Sequence, residues 1–278
     1  KILGTSSGAG VITVNGNSVA PTGATSSVIA NCGPTSATLT VVGGALGTGA
    51  SWRWYSGSCG GTLVGTGASI TIPVNTTTTY FVRAEGTCNT TGCGTSVTVT
   101  INTIPTISIA AAPFTALTPL LRTNLTATVN PTAVGNVVEW FKDNGPLPIA
   151  TGLSITNINV DQLGSYRARV TTAQGCTATS NTIEIRDSAT GQLFVYPNPN
   201  NGKFQIRYYL PENSISVVRK VAIFDSKGAL VYNQRLSVQT RWGSMNINIL
   251  GVAQGSYFIK ILDVNDQPVV GARVQVLR

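Results

Sequence analysis

Five cysteines and ten carboxylates are what this 278-residue chain has to do chemistry with; it contains no histidine. Without imidazole it cannot build a Ser-His-Asp or Cys-His nucleophilic centre, nor any metal site that includes histidine. No Asp or Glu precedes Glu85, so the first part of the chain also lacks a general acid, a general base and a carboxylate ligand for a hard cation. A glycosidase would need two facing acids. Glu139 stands beside Trp140 on the outward face of a strand, and Asp161 falls in a turn motif. Asp225, Asp263 and Asp266 also sit in turn sequences, and "DVNDQ" reads as a hairpin turn rather than a calcium loop. No catalytic, cofactor-binding or metal-ligating residue is assigned, and no cofactor is expected. The net charge of +8 is scattered, with ten Lys/Arg against four Asp/Glu from residue 189 onward. A nucleic-acid footprint would be denser and interleaved with aromatics, so no nucleic-acid partner is expected.

The elements that carry these residues are short alternating apolar runs broken by Gly, Pro, Asn and Ser, the pattern of sandwich strands. "SATLTVV", "SWRWY", "ASITIP", "TYFVRA" and "SVTVTI" define a first unit over 21–102. "NLTATV", "VVEWF", "DQLGSYRARV" and "NTIEI" define a second over 103–187. In the second, Asp161, Gly164 and Tyr166 form a D-x-x-G-x-Y tyrosine corner beside the strand tryptophan Trp140. A third unit covers 188–278, with strands "KFQIRY", "RKVAIFD", "ALVYN", "SMNINIL", "GSYFIKILD" and "ARVQVL". Residues 1–20, with "GVITVNG", read as the end of a preceding repeat or an edge strand. The expected fold class is all-β, with three tandem immunoglobulin-like β-sandwich domains. Trp52, Trp54 and Trp140 are expected mainly in the core, while Tyr55, Phe81 and Trp242 are candidates for exposure. "KILGTSSGAG" has no apolar core of a signal peptide, so the chain reads as the C-terminal part of a longer precursor, and no run is long enough to span a membrane.

Four cysteines lie in the first unit, with no C-x-x-C spacing, which favours disulfides in an oxidising compartment over a zinc ribbon. Cys32, at the base of one strand, and Cys59, at the turn leaving the next, share one end of a sandwich. Cys88 and Cys93 flank the "NTTG" turn at the other end. The expected pairs are therefore Cys32–Cys59 and Cys88–Cys93, with Cys176 left single.

The most particular stretch is "VYPNPNNGKFQI". Pro197 and Pro199 fix φ and remove two donors, so the segment cannot be a central strand. Tyr196 and Asn198 are pushed towards extended conformations, and Asn200-Asn201-Gly202 is an N-G turn that can supply positive φ. The result is a stiff hook that feeds a strand. With "VAIFDSKGALVYN", "GVAQGSYFIKILD" and a closing strand, the hook resembles the type A C-terminal sorting domain of type IX secretion cargo. Val252 stands where that pattern more often has Leu. The first unit resembles a repeat common in large secreted surface proteins of bacteria that use this system; the second is similar to immunoglobulin-like domains in general.

The resemblance implies a sorting motif of Tyr196, Pro197, Asn198, Pro199, Gly202, Phe204, Asp225, Gly228, Gly255, Tyr257, Val274 and Val276. It implies the type IX outer-membrane translocon and shuttle proteins as partners, with surface glycan or lipopolysaccharide attachment as a further one. It also implies a non-catalytic protein, secreted or on the outer cell surface after transiting the periplasm, whose immunoglobulin-like units serve as stalk or adhesive modules. The alternative is the accessory region of a secreted protease or polysaccharidase with its catalytic domain upstream. Ser188, in Asp187-Ser188-Ala189, is a candidate O-glycosylation residue in such bacteria.

Overall fold

The alternating runs become strands whose burial follows the period of two, as in Thr123–Asn130, where every second side chain is buried. The computed structural model describes residues 15–188, 191–209, 217–238 and 242–277. The proposed edge strand "GVITVNG" lies mostly outside the described residues.

The strands fall into three sets. The first comprises β1 (Gly23–Ser26), β2 (Ala30–Cys32), β3 (Thr35–Val42), β4 (Ser51–Ser56), β5 (Thr62–Thr66), β6 (Ser69–Val74), β7 (Thr78–Glu85) and β8 (Val97–Asn102). They form a sheet β1-β3-β6 and a sheet β2-β8-β7-β4-β5, closed around Leu39, Trp52, Trp54, Val82 and Val99. The second comprises β9 (Thr106–Ala112), β10 (Ala116–Leu117), β11 (Thr123–Asn130), β12 (Val137–Lys142), β13 (Ala150–Thr151), β14 (Ser154–Ile158), β15 (Gly164–Thr171), β16 (Thr177–Thr179) and β17 (Ile183–Asp187). Its sheets are β14-β11-β9 and β10-β17-β15-β12-β13, with β16 on β15. A 3₁₀ turn, Val160–Gln162, precedes β15.

The third set comprises β18 (Leu193–Tyr196), β19 (Lys203–Tyr209), β20 (Val217–Phe224), β21 (Leu230–Val238), β22 (Trp242–Asn248), β23 (Gly255–Leu262) and β24 (Pro268–Val276). They form a sheet β18-β19-β22 and a sheet β21-β20-β23-β24. Between them lie Phe204, Ile206, Ile223, Ile247, Ile259 and Val274. The chain divides into two compact units. One holds the residues through Pro105 together with Thr171–Ala178; the other holds Thr106–Val170 and the residues from Thr179 on.

The first two sets share a local construction. The indole of Trp54 donates to the Gly67 carbonyl at 2.9 Å, and that of Trp140 donates to the Gly152 carbonyl at 2.8 Å. Each tryptophan fills the core, and a glycine carbonyl one strand on satisfies its only donor, as a buried N–H requires.

Three expectations are corrected. Trp242 is 1% exposed, because it lies on β22 against the rings of Phe194 and Tyr209, at centroid distances of 5.5 and 5.2 Å. Tyr55 is 7% exposed; the Arg83 guanidinium sits 5.0 Å over its ring, and its hydroxyl donates to Glu85. The cysteine pairing also differs, for the bonds are Cys32–Cys176 and Cys59–Cys93, with Cys88 free and exposed. The tight turn after β7 falls at Gly86–Asn89, closed by Gly86 N–H to the Asn89 carbonyl at 3.1 Å, which leaves Cys88 in the turn. From Thr90, paired with Glu85, the chain runs back beside β7 to Val97, paired with Tyr80. Cys93 is thereby carried back along the strand and away from Cys88. Cys32 ends β2, which is parallel to β8 and places Cys32 opposite Asn102, where the set hands over to the next. Its partner lies in the 171–178 segment of the same compact unit.

Candidate functional site

The hook between β18 and β19 makes the most specific polar arrangement in the third set. Both of its prolines follow cis peptide bonds. The Asn198 carboxamide then acts like a peptide group of a neighbouring strand. Its Nδ2 donates to the Arg273 carbonyl at 3.2 Å, and its Oδ1 accepts from the Gln275 N–H at 2.9 Å. Two residues on, the backbone takes over: Asn200 N–H donates to the Gln275 carbonyl at 3.0 Å, and the Asn200 carbonyl accepts from Leu277 N–H at 2.7 Å. The hook thus behaves as a short parallel strand laid along the edge of β24.

The Asn200 side chain turns inward and is 8% exposed. It donates to the Pro197 carbonyl at 3.1 Å and accepts from Gly202 N–H at 2.7 Å, closing the hook on itself. Gly202 has φ +94°, and a Cβ there would stand 3.3 Å from the Ile249 carbonyl oxygen. That is left-handed backbone against a neighbouring chain, which glycine alone adopts without strain. Beside the hook is a shallow depression lined by Tyr196, Pro197, Phe204, Gln205, Asn246 and Ile247.

A polar relay starts from the hook. The Tyr196 hydroxyl donates to Gln205 Oε1, which also accepts from Arg207 Nε at 3.0 Å. Arg207 in turn donates bidentately to both carboxylate oxygens of Asp161, at 2.6 and 2.8 Å. These hydrogen bonds hold the Asp161 carboxyl below the usual carboxylate range. The tyrosine corner forms without the Asp161 side chain, which corrects the reading of Asp161 as spent on that corner. Tyr166 donates its hydroxyl to the Gln162 carbonyl, and burial pushes its own ionisation up to about 12.

The remaining motif residues are mostly architectural. Phe204, Val274 and Val276 are core. Asp225 builds the β20–β21 turn by accepting from Lys227 N–H at 2.9 Å and Ala229 N–H at 2.8 Å, with Gly228 at φ +84°. Asp263 does the same for the β23–β24 turn, accepting from Asn265 and Gln267 N–H, each at 2.8 Å. Gly255 and Tyr257 form a second tyrosine corner, in which the hydroxyl donates to the Ala253 carbonyl at 2.7 Å. It spans the same four residues as the corner at Tyr166. Ser188 is half-buried, with its N–H on the Leu117 carbonyl at 2.8 Å; Ala189 lies outside the described residues.

In the sequence Asn200 reads only as part of the N-G turn, and nothing marks Gln205 or Arg207. Asn200 had a signal, an Asn two residues before a turn glycine, the Asx-turn spacing. Arg207 had none, since its partner lies far away in sequence. Among the described residues no cluster of acids and cysteines could hold a metal ion. The outward aromatic of β12, Phe141, is covered too, with Arg167 and Arg169 of β15 over its ring at 4.7 and 5.1 Å.

The fold and the clasped last strand define an all-β protein built of immunoglobulin-like sandwiches. Two family models match: an Ig-like domain, CHU_C associated, over residues 19–105, and a secretion system C-terminal sorting domain over residues 194–271. The chain therefore carries a type IX sorting signal together with an immunoglobulin-like domain, both of non-catalytic kinds. It is a secreted protein that passes through the periplasm to the cell surface or beyond. No curated protein matches. Solved structures similar to it include three N-terminal domains of the Highly Immunogenic Outer Capsid protein of bacteriophage RB49 (13% identity, 92% of this chain and 99% of that one, TM-score 0.30). A marsupial T cell receptor is also similar (9% identity, 94% and 99%, TM-score 0.40), as is murine CEACAM1b (16% identity, 59% and 98%, TM-score 0.36). Among the described residues no helix is long and apolar enough to cross a membrane.

Proposed function

We propose that residues 194–277 are an address read by the type IX translocon and its shuttle proteins, and that the element read is the hook clasped to β24. The observation that carries this is the two-asparagine ladder. The signature residue Asn198, through its side chain, and Asn200, through its backbone, fix the backbone of residues 273–277 by four hydrogen bonds, and Gly202 closes the hook by donating to the Asn200 side chain. Hook and last strand are then one rigid feature, and a receptor meeting it spends little entropy on ordering it. The immunoglobulin-like strand sets act as a stalk or adhesive segment that holds a passenger away from the surface. No residue of the chain takes a catalytic role. Removing residues 193–278 tests the address. The expected result is accumulation in the periplasm; surface display at the level of the intact chain would overturn the proposal.

A further inference from the structure

Outside the hook, the signature residues point into the core or close turns, so a further partner would meet the side chains that stand between them. In the sheet β21-β20-β23-β24 one face is the core, with Val221, Ile223, Ile259, Ile261 and Val274 all buried. The period of two puts the intervening residues on the other face, and the register fixes their rows. Leu230, Phe224, Phe258 and Arg273 form one row. Ala222 and Lys260 lie in the next, and Arg235 and Lys220 in the third. None of the four strands contains an Asp or Glu. Lys220 and Arg235 share the turn residue Asp266, at 3.1 and 3.6 Å. Lys260 lies 5.4 Å over the Phe224 ring, and neither it nor Arg273 has an ion-pair partner among the described residues. Four cations therefore face outward against one carboxylate, and Phe258 (46% exposed) and Leu230 (53%) stand among them.

We infer that this outward face docks on an anionic phospholipid surface. An open sheet face offers no cleft for a small ligand, and its excess positive charge selects a negative partner. Exposed aromatic and aliphatic side chains in the same row as Arg273 suit a planar interface, where cations meet phosphates and apolar groups enter the boundary layer. The route of the chain takes it across the periplasm, where such surfaces are present.

The test uses the full chain, sedimented with vesicles of phosphatidylcholine alone or of phosphatidylcholine with phosphatidylglycerol, at low and at high salt. Binding is expected to the anionic vesicles only, and to fall as salt rises. Lys260→Ala with Arg273→Ala should weaken it about twenty-five-fold, roughly fivefold for each cation removed. Phe258→Ser should weaken it while keeping the salt dependence. Lys203→Ala, in the other sheet, should leave it unchanged. Thermal melts of all the variants check that each is folded. Equal binding to neutral vesicles, or unchanged binding in the folded double variant, would overturn the inference. So would capture by soluble polyglutamate without capture by vesicles, which would make the partner an acidic protein. Inorganic phosphate that competes beyond its ionic strength would also overturn it, since that indicates a site for the free anion.

Discussion

At the scale of single residues, two asparagines that look alike in "YPNPNNG" carry different loads. Asn198 is exposed and pairs with β24 through its side chain; Asn200 is buried and pairs through its backbone, while its side chain closes the hook. Removing an exposed hydrogen-bonding group costs little because water replaces it, whereas removing a buried one leaves its partners unsatisfied. Asn198→Ala should cost about 0.5–1 kcal/mol, and Asn200→Ala about 1–3 kcal/mol, because the buried Gly202 N–H loses its acceptor. Urea unfolding gives the two costs, and equal values would contradict this division. Hydrogen exchange separates the mechanisms further: in Asn198→Ala the Gln275 amide should lose protection selectively, since its acceptor is the Asn198 side chain.

At the scale of elements, the same device serves twice. The corners at Tyr166 and Tyr257 each tie a strand start to the carbonyl four residues upstream, with a glycine two residues before the tyrosine. In the first corner the Asp of D-x-x-G-x-Y is left over and forms the ion pair with Arg207. The strands and corners were legible because alternation, Gly and Tyr act locally. The use of Asp161 was not, because its partner is set by how β19 packs and no spacing encodes that. Arg207 is 11% exposed in its side chain and Asp161 47%, so solvent screening limits the pair to about 1 kcal/mol. The carboxyl is held below its ordinary value, near 3.9 when unfolded. Its contribution is therefore full above that value and is lost as pH falls through the lower folded value. Asp161→Asn should be less stable than the parent at pH 7, and the gap in urea midpoint should close under strong acid. A gap that persists there would mean that the asparagine disturbs packing rather than charge.

At the scale of the whole molecule, the all-β class was legible from composition and alternation, because turn residues punctuate the chain wherever strands must end. The covalent connections were not. Pairing cysteines by which loops share an end of a sandwich assumes that each set is stapled within itself and that the loop after β7 is a plain hairpin. The early turn at Gly86–Asn89 breaks the second assumption, and Cys176, in the 171–178 segment, breaks the first. The Cys32–Cys176 bond spans a sequence separation of 144. A loop that long removes much entropy from the unfolded chain, and such bonds typically contribute about 2–4 kcal/mol. A non-reduced peptide map should yield Cys32–Cys176 and Cys59–Cys93, with Cys88 alone open to alkylation under native conditions. Cys176→Ser should lower the unfolding free energy by about 2–4 kcal/mol, while Cys88→Ser, which removes an exposed thiol bonded to nothing, should leave it unchanged. A loss of stability in Cys88→Ser comparable to that in Cys176→Ser would contradict this connectivity, and a Cys88–Cys93 peptide in the map would overturn it outright.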